Sequence, residues 1–366
     1  MAETKFLWEY LRATEKTVVM YGMGNGADKI LAICERYGIV VADFFASDGF
    51  VRGHLFHGKT VLSYSDICEK YGKDNIIVLL SFASSLPDVL ANIYRIADEC
   101  ELYAPDVPVC GEELFNKEFF ESNELKIDCV RALLADETSK RVFSDVVNYK
   151  LSGDVDFLKD GHSDFAEVYC DLLKADKFER IADLGAYNGD TLREIAPFAP
   201  KVKEAIAFEP DRRNHKKLSD YAEGEDRFKI TAIKAAAWDK RDTLLFDGSG
   251  NRNSTLISKG IEINRPTKTV EVDAESLDNV LDGERVDYIK FDVEGAEKEA
   301  IIGAFKTIDK HRPAIMISLY HRSGDIFELP LMINELFPGY KFYIRRREYV
   351  PAWDTVLIAV CDENEE

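Results

Sequence analysis

A glycine-rich segment in the second half of the chain has the composition of a cofactor-binding loop. Its sequence is DLGAYNGDT over residues 183–191, and it overlaps the end of the apolar run Ile181–Leu184. This pattern predicts a strand, a tight turn and then a helix. Gly185 and Gly189 allow close backbone approach and unusual φ angles. The helix start presents free N–H groups, which suit a carboxylate or a phosphate. Glu209 ends the next predicted strand, 20 residues after Gly189, where an acidic group suits a ribose diol.

S-adenosylmethionine carries a carboxylate, an ammonium and a ribose together, so we predict that it binds here. Asp183 at the strand tip would take the ammonium. Trp238, after the third predicted strand, would flank the adenine and Asp239 would accept from its amino group, although a core tryptophan is an equally good interpretation. A simple turn with a capping residue is the alternative for the loop itself. The predicted cofactor residues are Asp183, Gly185, Ala186, Tyr187, Asn188, Gly189, Asp190, Thr191, Glu209, Ala237, Trp238 and Asp239.

Two carboxylates and a histidine follow the next two predicted strands. Asp292 and Glu294 come directly after Tyr288–Phe291, and His321 follows Ala314–Leu319. In a doubly wound sheet, reacting groups gather at the carboxyl ends of the strands. An alcohol that accepts a methyl group must be positioned, and a base that removes its proton helps. We predict that His321 is this base, because its ordinary pKa lies near the working pH, and that the two carboxylates assist it.

A second glycine-rich loop lies near the start of the chain. Gly22–Ala27 fits the pattern G-x-G-x-x-G/A after the predicted strand Thr17–Tyr21, and Asp43 follows 21 residues after Gly22. This pattern matches the fingerprint of a dinucleotide-binding loop. It supports a rival hypothesis, that the protein is an NAD-dependent oxidoreductase that acts on nucleotide sugars. About 115 residues are only half of a typical dinucleotide fold, and the Tyr-x-x-x-Lys pattern of such enzymes is missing, since Tyr94–Ala97 reads YRIA. A site for a nucleotide or nucleotide sugar and a non-catalytic interaction module both remain open for this loop.

Three segments of the second half together carry a resemblance to a known family. The loop at 183–191, Phe208-Glu209-Pro210 and IKFDVEGAE at 289–297 resemble the FkbM-type methyltransferases that use S-adenosylmethionine, over about residues 165–360. The resemblance implies O-methylation, commonly of hydroxyls on sugars, glycans or polyketide-like products. One departure is that Arg345-Arg346-Arg347-Glu348-Tyr349 replaces an Arg-His-Tyr-like triplet. No metal is predicted, because Tyr320-His321 stands where metal-dependent catechol-type enzymes carry an Asp-Asn pair.

The elements that must position these residues form two α/β patterns. Each pattern begins with a strand, a glycine loop and a helix, and helical spacing fills most of the later intervals, which predicts parallel sheets. The chain ends with two predicted strands and no helix between them, so the last strand should be antiparallel. We predict a small Rossmann-like domain over 1–116, a helical connector over 117–165 and a seven-stranded class I methyltransferase domain over 166–366.

Composition excludes several other classes of protein. The chain has 366 residues and a formal net charge of −20, which argues against a nucleic-acid or anionic-membrane partner because those partners attract Lys and Arg. No apolar run approaches the length of a membrane-spanning helix. Seven cysteines form no CxxC pair, which is typical of reduced thiols. We therefore expect a cytoplasmic enzyme with a small-molecule or glycan substrate.

Overall fold

Two separate parallel sheets organise the chain. The computed structural model describes residues 5–51, 53–247 and 269–361, and in them a five-stranded and a seven-stranded sheet accompany a three-stranded and a two-stranded one. The prediction of two Rossmann-like halves is thus confirmed. The strands are β1 Thr17–Tyr21, β2 Val41–Ala46, β3 Leu55–Phe56, β4 Lys59–Thr60, β5 Leu62–Ser63, β6 Ile76–Leu80, β7 Glu101–Tyr103, β8 Arg180–Leu184, β9 Glu204–Phe208, β10 Lys229–Ile233, β11 Ala236–Ala237, β12 Asp242–Asp247, β13 Thr269–Glu275, β14 Tyr288–Phe291, β15 Ala314–Ser318, β16 Tyr340–Arg346 and β17 Thr355–Cys361. The α-helices are α1 Leu7–Ala13, α2 Asn25–Tyr37, α3 Tyr64–Tyr71, α4 Pro87–Glu99, α5 Lys117–Leu133, α6 Glu137–Ser152, α7 Asp156–Lys159, α8 Phe165–Glu167, α9 Asp190–Ile195, α10 Arg212–Gly224, α11 Leu277–Leu281, α12 Glu297–Gly303, α13 Phe305–His311 and α14 Asp325–Leu336.

The N-terminal unit, from α1 to β7, contains the five-stranded sheet in the order β5-β2-β1-β6-β7. Strand β6 is buried along its whole length, as is typical of a central parallel strand covered on both faces. Helix α2 ends at Gly38, whose φ of 69° a glycine adopts without strain. Helix α3 begins with a capping box between Ser63 and Asp66, which satisfies two free N–H groups of its first turn.

Helices α5 and α6 link the two sheets and also cover the second one. Asn116 and Asp136 cap their first turns. The backbone N–H of Ile344 on β16 donates to Ser139 Oγ of α6 at 3.0 Å. The ring of Phe119 on α5 lies 5.8 Å from that of Phe327 on α14. The predicted helices are therefore present, while the predicted limits of the connector and of the two domains stay a prediction.

The C-terminal unit, from β8 to β17, contains the seven-stranded sheet in the order β10-β9-β8-β14-β15-β17-β16. Strands β8, β9, β10, β14 and β15 pair in parallel. The last strand, β17, lies between β15 and β16 and is antiparallel to both, which confirms the prediction for the end of the chain. The antiparallel return needs only residues 347–354 as a loop, because a hairpin requires no crossover helix.

The interval between β10 and β14 differs from the expected helical pattern. It contains a small sheet of order β11-β13-β12, with β12 and β13 antiparallel, and then the short helix α11. Strand β13 has the alternating sequence TVEVDAE, which is typical of a strand with one exposed face. Ala236 and Ala237 at the start of this insertion are buried against the main sheet.

A continuous hydrophobic core joins the two units. Buried side chains of β6, of the connector and of β14–β17 belong to one cluster, in which Phe115, Val130, Phe143 and Phe342 are almost fully buried. The two units are thus packed on each other through the connector helices. None of the helices among the described residues is long and apolar enough to cross a membrane.

Candidate active site

A cavity of about 370 Å³ opens at the carboxyl ends of β8, β9, β14 and β15. This is the edge where a doubly wound sheet binds its ligands. The lining residues come from the ends of these strands and the segments that follow them, from β11, from the β16–β17 loop and the start of β17, from the helical segment before β8, and from Val109 after β7. They are Val109, Phe165, Tyr169, Gly185, Tyr187, Asp190, Thr191, Glu194, Glu209, Pro210, Asp211, Asn214, Ala236, Ala237, Lys290, Asp292, Val293, Glu294, Ala296, Met316, Ser318, Tyr320, Arg347, Tyr349, Trp353, Asp354 and Val356.

The glycine loop after β8 takes a conformation that only small residues allow. Gly185 has a φ of 90°, and a Cβ there would lie 1.9 Å from the carbonyl oxygen of Asp292, so the loop can pass β14 closely. At Gly189, with a φ of 84°, a Cβ would lie 2.5 Å from the Tyr221 ring. Gly185, Tyr187, Asp190 and Thr191 line the cavity, whereas Ala186, Asn188 and Gly189 do not.

Asp183, at the end of β8, is a buried carboxylate with both oxygens lacking a hydrogen-bond partner. Its nearest cation is Lys290, whose Nζ lies 3.7 Å from Oδ1. Burial raises the pKa of Asp183 to about 6, with Lys290 opposing the shift. A buried polar group without a partner is costly. Asp183 does not line the cavity, whereas Gly185 and Lys290 beside it do. A cationic ligand group that reached Asp183 would relieve that cost, as the ammonium of the predicted cofactor would.

Glu209 lies where the sequence analysis placed it, at the end of β9 and in the cavity wall. Its Oε1 accepts from the backbone N–H of Asp211 at 2.8 Å. Burial raises its pKa to about 8, because the ionised form loses solvation. The carboxyl group is thus held in one position beside the glycine loop, as a ribose diol would require.

The structure does not bring Trp238 and Asp239 to this cavity. Ala236 and Ala237 line it, but at Trp238 the chain turns away: its backbone N–H donates to Glu275 of β13 at 3.0 Å. A Cβ at Gly303 would lie 1.9 Å from the Trp238 carbonyl oxygen, so this turn packs against α12. The pairing of β11 with β13 directs Trp238 and Asp239 away from the cavity. Asp211 and Asn214, at the start of α10, line the cavity instead.

The turn after β14 carries the predicted carboxylates. Asp292 Oδ2 accepts from Lys290 Nζ at 3.2 Å and Oδ1 accepts from the Tyr320 hydroxyl at 3.2 Å. Although burial opposes it, Lys290 and then His321 lower the pKa of Asp292. Glu294 has a φ of 53°, a left-handed conformation that is uncommon outside glycine and recurs at functional sites.

Glu294 lines the cavity and has a strongly shifted pKa. Burial raises that pKa to about 7, with His321 opposing the shift. A carboxylate whose pKa lies near neutral pH, in a residue that lines a cavity, is suited to accept a proton. The sequence alone predicts only an assisting role for Glu294.

His321 is fully buried and does not line the cavity. Its Nδ1 lies 2.9 Å from Glu297 Oε1, and its Nε2 lies 3.5 Å from both Asp292 Oδ1 and Glu294 Oε2. Burial by itself would lower the pKa of His321, but the three carboxylates, Glu297 first, raise it to about 10. The imidazole is therefore protonated at neutral pH and has no free lone pair for a substrate proton. The geometry thus disagrees with His321 as the base and favours a role in holding Glu294 and Asp292.

Glu297 organises this turn, although the sequence analysis assigned it no role. Its Oε1 accepts from the backbone N–H groups of Val293 at 3.0 Å and Gly295 at 3.4 Å, besides the His321 contact. Glu297, His321 and Asp325 offer ligand atoms that lie within 4.8 Å of one another. Each of the three residues already makes a hydrogen bond: His321 Nδ1 with Glu297 Oε1, and Asp325 Oδ2 accepts from the Arg322 N–H at 2.7 Å. We assign no metal to the cluster.

The three consecutive arginines of β16 and its loop have structural partners. Arg345 pairs with Asp136 at 2.6 Å, and Arg347 pairs with Glu194 at 2.6 Å. Arg346 is buried and donates to four backbone carbonyl groups, those of Leu158, Asp160, Arg347 and Tyr349. The three arginines thus connect the β16–β17 hairpin to the connector helices and to the cavity wall.

The N-terminal glycine loop is shaped by packing. A Cβ at Gly22 would lie 2.6 Å from Ser81 Oγ and from the Phe82 ring, and one at Gly26 would lie 2.1 Å from the Ser81 carbonyl oxygen. Asp43 lies in the middle of β2 and already pairs with Lys70 at 2.7 Å and with the Tyr71 hydroxyl. Its carboxylate is therefore not presented to a ribose, and a nucleotide-sugar partner at this loop has no support.

The sheet order, the antiparallel last strand and the glycine loop after β8 define a class I methyltransferase fold. Residues 183–350 match the sequence model of the methyltransferase FkbM domain. The chain carries a domain of this family, and the methyl donor of the domain is S-adenosylmethionine.

Comparison with solved structures extends the likeness to both units. Methyltransferase FkbM from Methylobacillus flagellatus is 19% identical, covers 95% of this chain and 91% of its own, and superposes with a TM-score of 0.69. A putative O-methyltransferase from Klebsiella pneumoniae is 12% identical over 66% of this chain and 97% of its own, with a TM-score of 0.34. A putative caffeoyl-CoA O-methyltransferase from Staphylococcus aureus is 11% identical over 67% and 98%, with a TM-score of 0.34. No curated protein matches the sequence significantly.

Proposed function

We propose that this protein is an O-methyltransferase whose acceptor is a hydroxyl of a sugar, a glycan or a related natural product. The observation that carries the proposal is Glu294, a carboxylate with a pKa of about 7 in the wall of the methyltransferase cavity. An alcohol needs such a proton acceptor, because its oxygen is a weak nucleophile while protonated. The sugar preference rests on the family resemblance.

The residues at the β8–β9 side of the cavity would hold S-adenosylmethionine, which supplies an electrophilic methyl group. Gly185, Tyr187 and Glu209 line this side of the cavity. The carboxylate of Asp183, which has Lys290 Nζ at 3.7 Å but no hydrogen-bond partner, suits an ammonium. These contacts would orient the donor toward the centre of the sheet edge, where Glu294 follows β14. Holding donor and acceptor in line supplies much of the rate enhancement in reactions of this kind.

Glu294 would take the hydroxyl proton as the new carbon–oxygen bond forms and the carbon–sulfur bond breaks. His321, positively charged at neutral pH, stabilises the ionised form of Glu294 at 3.5 Å. Asp292, fixed by Lys290 and Tyr320, would accept a hydrogen bond from a neighbouring hydroxyl of the acceptor.

A ligand-stability experiment tests the class of enzyme. A ligand at 100 times its dissociation constant adds about 2.7 kcal/mol to stability. S-adenosylhomocysteine should therefore raise the melting temperature, whereas NAD should not, because Asp43 is paired with Lys70. Stabilisation by NAD and not by S-adenosylhomocysteine would favour the oxidoreductase. A response to neither ligand would favour a non-catalytic protein.

A further inference from the structure

Three aromatic side chains form one wall of the cavity. The rings of Tyr320 and Trp353 are 6.4 Å apart and 26° from parallel, and those of Tyr349 and Trp353 are 6.0 Å apart and 33° from parallel. All three residues line the cavity and are half-buried. We call Tyr320, Tyr349 and Trp353 the aromatic wall.

The aromatic wall lies on the side of the cavity away from the cofactor residues. Gly185 and Glu209 follow β8 and β9, whereas the aromatic wall follows β15 or precedes β17, and β14 lies between these two pairs of strands. Glu294 comes after β14, between the two halves of the cavity. A molecule on the aromatic wall would thus reach Glu294 from the side opposite to the donor.

The two segments that carry the aromatic wall are held from several directions. Val350 forms an antiparallel bridge with Ser84 of the N-terminal unit, with N–H to oxygen distances of 2.8 and 3.0 Å. Thr355 Oγ1 donates to the Ala352 carbonyl at 2.8 Å. The Tyr320 hydroxyl donates to Asp292. The aromatic wall is therefore preorganised, and a ligand need not order it.

The charges around the aromatic wall select against an anionic ligand. Three of the carboxylate residues that line the cavity lie on this side, after β14 or in the loop between β16 and β17: Asp292, Glu294 and Asp354. The two cationic lining residues are already paired, Lys290 with Asp292 at 3.2 Å and Arg347 with Glu194 at 2.6 Å. A phosphate or carboxylate would face this excess of negative charge without a free cation.

We propose that the aromatic wall is an acceptor subsite for an uncharged sugar ring. The C–H groups of one ring face would pack on Tyr320, Tyr349 and Trp353, because aromatic faces carry partial negative charge that attracts weakly positive C–H groups. The hydroxyls at the ring edge would reach Glu294 and Asp292. This inference rests on the proposed function, and it narrows the acceptor to neutral glycans, excluding nucleotide sugars, sugar phosphates and uronic acids.

An immobilised-glycan array tests the subsite without knowledge of the natural acceptor. The protein, saturated with S-adenosylhomocysteine, is applied to neutral, uronic-acid and phosphorylated glycans. We expect binding to neutral glycans only, and we expect Trp353→Ala to weaken it about tenfold or more, as for a central aromatic contact. Phe305→Ala removes a surface aromatic outside the cavity and should leave glycan binding unchanged. Trp353→Phe, which keeps an aromatic face, should restore most of it.

Calorimetry with S-adenosylhomocysteine separates the possible failures. Retained affinity in Trp353→Ala shows a folded protein, and Tyr349→Ala replaces that variant if it does not fold. Three results would each overturn the proposed subsite. These are preferential binding of charged glycans, no binding of neutral glycans, and equal glycan binding by the wild type and Trp353→Ala. Failure of the wild type to bind S-adenosylhomocysteine would instead overturn the proposed function, while the effect of Trp353→Ala on glycan binding would still decide the subsite.

Discussion

The thiol of Cys110 donates a hydrogen bond to the backbone carbonyl of Glu294 at 3.0 Å, across 184 positions of sequence. The backbone N–H of Cys110 donates to the His321 carbonyl at 2.8 Å, and a Cβ at Gly295 would lie 2.9 Å from Cys110 Cβ. Lys29 of α2 holds the same segment by donating to the carbonyls of Pro108 and Val109. The segment after β7, which Lys29 of the N-terminal unit holds, thus contacts the backbone of the turn that carries the candidate base.

We expect Cys110→Ala to lower methyl transfer several-fold while the affinity for S-adenosylhomocysteine stays the same. The change removes a hydrogen bond and leaves space beside Gly295, at a stability cost of about 1–2 kcal/mol. Single-turnover methylation and calorimetry measure the two effects. Cys34→Ala, a buried thiol of α2 away from the cavity, is the control for packing. Equal loss of rate in the two variants would show that Cys110 acts through stability alone.

Glu294→Gln should lower single-turnover methyl transfer by about 10²–10⁴-fold, the usual contribution of a positioned base. The amide keeps the size of the side chain but cannot take the proton. In the wild type the rate should rise with pH through about 7, because burial raises the pKa of Glu294 to that value and only the ionised form accepts a proton. The variant should lose this rise. A rate close to that of the wild type would remove Glu294 from the mechanism, and Glu299→Gln on α12 is the matched control.

His321→Gln should move the pH profile instead of abolishing the reaction. Without the imidazolium 3.5 Å from its Oε2, Glu294 loses a charge that lowers its pKa, so the rising limb should shift to higher pH. The pH–rate profile measures the shift. This positioning role would be contradicted if the pH–rate profile of His321→Gln stayed where it is in the wild type. It would also be contradicted if the variant stayed inactive at every pH.

His321 should also make stability depend on pH. Its pKa in the folded protein is raised to about 10, above the ordinary value of roughly 6.5. The stabilising contribution is therefore fully present below about pH 6.5 and is lost as pH rises toward 10. Urea unfolding at pH 6, 8 and 9.5 should show falling stability in the wild type and a weaker fall in His321→Gln. If the free energy of unfolding fell equally with pH in the two proteins, His321 would not be an imidazolium in the folded protein.

Glu209→Ala should weaken S-adenosylhomocysteine binding about tenfold, since one to two hydrogen bonds to a ribose are lost. Glu204→Ala, at the opposite end of β9, is the control. If calorimetry finds the same affinity for S-adenosylhomocysteine in the two variants, the ribose does not bind at Glu209.

Local sequence determined the elements and the cofactor loop, because their signals are short-range. The DLGAYNGDT segment predicted a strand, turn and helix from residues within nine positions, and the absence of a helix between β16 and β17 predicted their antiparallel pairing. Glu209 was found in the same way, since the end of a parallel strand after a glycine loop has a known place in the fold.

Only the tertiary structure decided which groups share the cavity and how each is charged. His321 is suited to a base by its ordinary pKa, but three carboxylates from the turn after β14 surround it in a buried position and keep it protonated. Trp238 follows the expected strand, yet the pairing of β11 with β13 turns it away. The contact between Cys110 and Glu294 spans 184 positions of sequence, and no local pattern encodes it. Charge, burial and long-range contact depend on what the fold brings together. The sequence by itself therefore identified the fold and predicted a donor site, and only the tertiary structure placed Glu294 and the aromatic wall in one cavity.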